Sequence, residues 1–256
     1  MRVWDLYPGY LSRGNLLGQH AEIHALLSVI SGDKKGYGSH PETLRWKEHL
    51  LKLKLKHDLT VKEMRLRGYR HASPCEDLDF RSSALQHSKE KICYVDHPAE
   101  QLEILREKYR QRSSSGRIPL PLRGSEFWAH HKYSIMARGY EFYKDIQDYL
   151  KSKKDLPVRQ ETDLIERILT ILEEPVTTRA MRNVVHHLWG YFKDVATPEE
   201  KENYLHHQQE EMPALLELFY AMAQKYHREY LLHSTVFADY IPPPLSTHIN
   251  KERSRS

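Results

Sequence analysis

Apolar residues crowd the first dozen positions, where Val3, Trp4, Leu6, Tyr7, Tyr10 and Leu11 appear before any regular period can be counted. Chain ends normally fray, so this density predicts an N-terminus packed into the fold. From residue 15 the pattern becomes helical. Leu16, His20, Ile23, Leu27 and Ile30 recur at helix spacing over 15–31, and Gly32 closes the run. Asp33 to Pro41 reads as a loop by its glycines, lysines and proline. Trp46, Leu50, Leu53 and His57 predict a helix over 42–57, although Leu51 to Lys56 alternates as a strand would. Thr60-Val-Lys-Glu63 has the form of a capping box and predicts a fresh helix start, with Gly68 as the stop.

Residues 71–95 are polar and irregular. Pro98 then stands at the first turn of a helix carrying Leu102, Leu105 and Tyr109, and the serine-rich stretch Arg110 to Gly116 has the composition of a flexible linker. Beyond it the pattern is helical throughout. A segment with Phe127, Trp128, Tyr133, Ile135 and Met136 breaks at Arg138-Gly139, and helices follow over 140–150, 160–173 and 177–194. A second capping box, Thr197-Pro-Glu-Glu200, opens another helix, and Pro213 begins a last one running towards Leu232. The expectation is an all-α protein of two helical domains, residues 1–116 and 117–241, with a disordered proline-rich and charged tail at 242–256.

Composition narrows the setting. With 39% hydrophobic and 29% charged residues the chain reads as soluble and globular, and no run approaches the roughly 18 apolar residues of a membrane span. No secretory signal is visible, and Cys75 and Cys93 form no C-x-x-C pair, so a reducing cytoplasm is expected, with a nucleoid-associated location. The net charge of +4 is unevenly spread: residues 1–70 hold 13 Lys and Arg against 7 Asp and Glu, the remainder 26 against 28. A basic N-terminal part favours phosphate contact and a nucleic-acid partner. Three adjacent histidine pairs, at His130, His186 and His206 with their neighbours, diverge by about 100° on a helix, and no Gly-rich phosphate loop or nucleophile elbow occurs. Neither metal nor cofactor is expected.

A buried chain start gives the α-amine a fixed place. Its reference pKa of roughly 7.7–8.0 leaves about a tenth in the neutral, nucleophilic form at pH 7, far more than a lysine offers. Schiff-base chemistry at a sugar carbon needs such an amine and a carboxylate to move protons. Glu22 falls off the apolar stripe of the first helix and is the first candidate for that role.

Four motifs occur in order: Met1-Arg-Val-Trp-Asp-Leu-Tyr-Pro-Gly-Tyr-Leu11, Glu22, Lys35-Gly-Tyr-Gly-Ser-His-Pro41 and Arg67-Gly-Tyr-Arg70. Together they resemble the pyrimidine-dimer DNA glycosylase family, of which phage endonuclease V is the founding member, over roughly residues 1–115. The resemblance implies an all-helical enzyme that excises ultraviolet photoproducts from duplex DNA through its N-terminal amine and then cuts the abasic site by β-elimination. It assigns the amine to Met1 and the essential glutamate to Glu22, and implies nucleic-acid contacts at Arg2, His20, His24, Lys34, Lys35, Tyr37, His40, Arg67 and Arg70. The founding member carries arginines immediately before and soon after its glutamate, where this chain has Ala21 and Ala25. Two alternatives stay open: the same chemistry on a modified or photodamaged pyrimidine in tRNA, and a nucleic-acid-binding adaptor without catalysis. Phe127-Trp-Ala-His-His-Lys-Tyr-Ser-Ile-Met-Ala137 and His187-Leu-Trp-Gly-Tyr-Phe-Lys193 resemble the YbgA-like family of unknown function. That likeness implies a surface presenting nucleic acid, with His131, Lys132, His187 and Tyr191 as its candidate residues.

Overall fold

The computed structural model describes residues 2–32, 36–73, 75, 92–153, 155–207 and 212–239. The chain is all-α, and no strand occurs among the described residues. An extended opening segment with a single 3-10 turn at Pro8–Tyr10 leads into α1 (Arg13–Ile30), α2 (Pro41–Trp46), α3 (Leu50–Leu66) and α4 (Pro98–Arg112). There follow α5 (Gly124–Met136), α6 (Tyr140–Lys151), α7 (Val158–Leu172), α8 (Thr178–Trp189), α9 (Pro198–His207) and α10 (Met212–Lys225). Two short turns, α11 (Glu229–Leu232) and α12 (Val236–Asp239), close the described chain. None of these helices is long and apolar enough to cross a membrane. The expected tail at 242–256 lies outside the described residues.

The amphipathic periods hold best in the second half. α7 buries Leu164, Ile165, Ile168 and Ile171, and α8 buries Met181, Val184, Val185 and Leu188, each set a stripe along one helix face. The Thr197 capping box forms both of its hydrogen bonds: the Glu200 N–H donates to Thr197 Oγ1 at 3.2 Å, and the Thr197 N–H donates to Glu200 Oε2 at 2.8 Å. At Gly68, φ is +74°, and the Gly68 and Tyr69 N–H groups return to the carbonyls of Arg65 and Met64, a Schellman stop.

Three local expectations fail. The helix expected over 42–57 breaks at Lys47–His49, which turns Trp46 and Leu53 into one buried cluster with Val3, Ile23, Leu26 and Leu27. Thr60-Val-Lys-Glu63 starts no helix, because α3 passes straight through it. Thr60 Oγ1 donates back to the Lys56 carbonyl at 2.7 Å, as an interior helical threonine does, and the Glu63 side chain is engaged elsewhere. The expected last helix stops at Lys225, and His227 turns with φ of +50° before α11.

Helix α4 carries on through Arg112 into the serine-rich stretch, and Ser113 ends it in the left-handed conformation. The chain then docks instead of hanging free. The Ile118 N–H donates to the Gly9 carbonyl at 2.9 Å, and Ile118 is fully buried. Gly116 lies so close to the opening segment that a Cβ there would come within 2.4 Å of the Tyr10 carbonyl oxygen. One buried cluster joins Trp4, Leu6, Tyr7, Tyr10 and Leu11 to Phe127 and Ile135 of α5 and to Ile165 and Ile168 of α7. A second gathers α8 and α10 around Phe192 and Phe219.

The Glu200 cap carries a pH signature. Burial would raise its carboxyl, but hydrogen bonds from Lys225, Tyr226 and the Thr197 N–H outweigh that and hold it at about 2. A carboxyl depressed by folding contributes stability that is complete above its ordinary value and is lost as pH falls towards the folded value. The stability gap between the native protein and Glu200→Gln should therefore be widest at neutral pH and shrink below about pH 4.5. Thermal melts from pH 7 to pH 3 measure it, and a gap independent of pH would count against this cap.

Candidate active site at the buried chain start

Apart from its 3-10 turn the opening segment has no regular structure, yet its backbone groups find partners. The Trp4 N–H donates to Gln19 Oε1 at 2.9 Å and the Asp5 N–H to Gln101 Oε1 at 2.9 Å, while the Leu6 carbonyl accepts from Lys56 Nζ at 2.9 Å. The carbonyls of Pro8, Gly9 and Leu11 accept from Arg67, and that of Tyr10 from the Tyr109 hydroxyl at 2.8 Å. Side chains thus do what a neighbouring strand would otherwise do. Tyr10 stacks on Phe127 at 5.9 Å, and the Tyr7 hydroxyl donates to the Thr235 carbonyl at 2.9 Å. The expected packing of the N-terminus holds from Val3 to Leu11.

Met1 lies outside the described residues, as do Lys34 and Lys35. Glu22 stands half-buried on α1, three residues beyond Gln19 and therefore on the same side of the helix. Gln19 is itself buried and reaches both Trp4 and Thr60 Oγ1, the latter at 2.9 Å. Glu42 is a further carboxylate at the chain start, unnoticed in the sequence. It is 3% exposed, interacts with the Val3 backbone, and accepts from Trp46 Nε1 at 3.0 Å. Burial raises its carboxyl above the ordinary value, although Arg45 and Trp46 oppose that.

Arg2 is paired with Asp96 and lies over the Trp4 ring at 5.0 Å. Lys108 covers the same ring at 5.3 Å, its ammonium pulled below the ordinary value by burial and then by Arg2 and Arg112. This cationic edge was not readable from the sequence, because Lys108 reaches it from α4. Tyr37 is 69% exposed and holds φ of +54°, uncommon for a bulky residue. His40 caps α2, accepting from the Glu42 N–H at 3.2 Å. Arg70 is exposed, but Arg67 is not a free cation. It donates to Glu63 Oε1 at 2.8 Å and to three carbonyls of the opening segment, and 10% of its side chain is exposed.

His20 and His24 do not stand apart as separate contacts. One turn apart on α1, they meet His57 of α3 and His71 beyond it, with one ring nitrogen of each within 4.8 Å of the others. Burial and the neighbouring imidazoles hold His20 down to about 4, and lower His24 and His71. The spacing His20-x-x-x-His24 was the available signal, since residues four apart share a helix face.

On α5, His131 corrects its expected surface position. It is fully buried between Tyr10 and Thr235, with Nδ1 3.1 Å from Thr235 Oγ1 and Nε2 3.3 Å from the Tyr10 hydroxyl. The other three candidates share a region. Lys132 Nζ lies over Tyr133 at 4.6 Å and Tyr230 at 4.8 Å, and the Tyr133 hydroxyl donates to that of Tyr191 at 2.9 Å. His187 is exposed, and its imidazole is lowered by burial, then by His186 and Lys132. Beside them Tyr191 and His227–Leu231 line an open groove of about 540 Å³.

Residues 1–77 match the family model described as pyrimidine dimer DNA glycosylase, and residues 132–241 match that of a protein of unknown function (DUF1722), the YbgA-like family. The first match supports a pyrimidine dimer glycosylase function in broad terms and implies DNA as what is bound. No curated protein and no solved structure matches the chain.

The different settings of the two arginines can be measured. Arg67→Ala takes one donor each from the carbonyls of Pro8, Gly9 and Leu11 and one from a buried carboxylate, and should cost about 3 kcal/mol or more in urea unfolding. Arg70→Ala should stay within about 0.5 kcal/mol. Equal effects would show that Arg67 does not hold the opening segment.

Proposed function

We propose that the chain is a DNA glycosylase with abasic-site lyase activity, acting on ultraviolet pyrimidine photoproducts through the α-amine of Met1, with Glu22 as its carboxylate. The observation that carries this reading is the bond from the Trp4 N–H to Gln19. It fixes the chain three residues after Met1 to α1 three residues before Glu22. Three residues span at most about 10 Å, a tether short enough for the amine to meet Glu22 at one sugar.

In this reading the neutral amine forms a bond to C1′ as the glycosidic bond breaks, and the released base takes up a proton. The amine nitrogen gives its proton to Glu22, which returns one to the ring oxygen as the C1′–O4′ bond opens, leaving a Schiff base. Loss of a 2′ proton then expels the 3′ phosphate by β-elimination. A carboxylate facing the positive charge that develops at C1′ also stabilises that charge. Arg2 and Lys108 supply cations beside the site, while Tyr37 and Arg70 are exposed for contact with the duplex. Lys132, His187 and Tyr191 combine a cation with rings, which suits a second nucleic-acid contact.

Borohydride trapping tests this reading on irradiated duplex DNA, abasic duplex and tRNA. A covalent adduct should form on the two DNAs and vanish when the α-amine is blocked. Glu22→Gln should bind DNA with similar affinity but excise about 10²- to 10⁴-fold more slowly. Trapping on tRNA alone would move the chemistry to RNA. Salt-dependent binding without any adduct would make the protein an adaptor.

A further inference from the structure

The histidines around α1 carry an inference independent of the glycosylase reading. Nε2 of His20, His57 and His71 are each buried with no hydrogen-bond partner among the described residues. Buried polar atoms rarely go unpaired, and each costs free energy comparable to a lost hydrogen bond. Three in one cluster, all on imidazoles, point to a shared missing partner.

The ring geometry identifies the kind of partner. Centroid separations are 4.7 Å for His20–His24, 5.1 Å for His20–His57, 5.0 Å for His20–His71, 5.0 Å for His24–His57 and 5.3 Å for His57–His71. Four imidazoles on one tetrahedral ion, with metal–nitrogen bonds of roughly 2.0–2.1 Å, hold their centroids roughly 5 Å apart. His57, 2% exposed, has the support that metal-ligating histidines have. Its Nδ1 lies 3.0 Å from Asp58 Oδ1, and Asp58 in turn accepts from Lys54 Nζ at 2.7 Å. A carboxylate on Nδ1 fixes the tautomer and turns the Nε2 lone pair into the cluster.

We propose that His20, His24, His57 and His71 bind one divalent transition-metal ion of the borderline class, with zinc as the reference ion. An all-imidazole donor set suits zinc, cobalt, nickel or copper, and disfavours magnesium and calcium, which take oxygen ligands. The ion joins α1 to α3 and to the stretch after it. Glu22 lies two residues from both α1 ligands, about 200° round the helix. The metal therefore braces the helix from behind and does not touch the carboxylate.

The experiment uses the untagged full chain, stripped with chelator and titrated with Co²⁺ while visible absorption is followed. One equivalent should bind, giving the d–d bands of tetrahedral nitrogen-ligated cobalt, and Zn²⁺ should displace it and raise the melting temperature. His57→Ala and His71→Ala should each weaken binding by more than the tenfold to hundredfold typical of an outer-shell loss, which is the effect expected for Asp58→Asn. The double variant His206→Gln, His207→Gln should bind as the native chain does. His71 lies outside the helices, so its variant keeps the test valid if His57→Ala loses helicity by circular dichroism. Absence of stoichiometric binding at micromolar metal, or binding unchanged in a folded His71→Ala, would overturn the site. A thiolate charge-transfer band would move it onto Cys75, whose Sγ lies 3.8 Å from His24 Nδ1, and would overturn the four-imidazole assignment.

Discussion

Glu63 sits on α3 with no exposed surface, and a carboxylate buried alone there would cost several kcal/mol. Two guanidiniums neutralise it. Arg117 forms a fork, Nε to Oε1 and an Nη to Oε2, both at 2.8 Å, and Arg67 adds a third bond at 2.8 Å. Burial alone would lower the Arg117 guanidinium, but the hydrogen bonds and charge of Glu63 outweigh it and raise it above its ordinary value. The remaining donors of the two arginines reach the carbonyls of Pro8, Gly9, Leu11 and Leu232. One buried charge thereby ties together the chain start, α3, the segment after α4 and the end of α11.

That knot connects fold to proposed chemistry. An irregular segment can be buried only if its peptide groups are satisfied, and here three of its carbonyls draw on Arg67, which Glu63 holds. The segment's aromatic side chains are held in the same way, with Tyr7 and Tyr10 against α5 and Thr235. The two family matches therefore meet in a shared core, and the second is the wall on which the first rests its N-terminus. A nucleophilic amine on a fixed tether loses little entropy when it meets its substrate.

Amphipathic stripes were legible because they are local: α7 and α8 lie within a few residues of their expected bounds, and Gly68 and the Thr197 box act as their patterns say. Thr60 to Glu63 has the same form as the Thr197 box and does something else. Whether a threonine caps or lies inside a helix depends on the packing before it, and Leu53 is buried one turn upstream of His57 in an unbroken helix. Arg67 reads as a free cation beside Arg70, but it shares the buried Glu63 with Arg117, fifty residues away, and its other acceptors lie in the opening segment. His131 reads as surface, yet α5 turns it towards Tyr10. For the histidine cluster, spacing exposes His20 and His24 alone, since His57 and His71 join them only in the folded chain.

Amide hydrogen exchange on the native chain and on Glu63→Gln tests the dependence most directly. The N–H groups of Tyr10, Leu11 and Ile118, bonded to the carbonyls of Tyr7, Pro8 and Gly9, should be protected in the native protein. In Glu63→Gln their protection should collapse while α8 and α10 keep theirs. Protection at these three amides that survives the substitution unchanged would contradict the account, because the opening segment would then be held by something other than the buried charge.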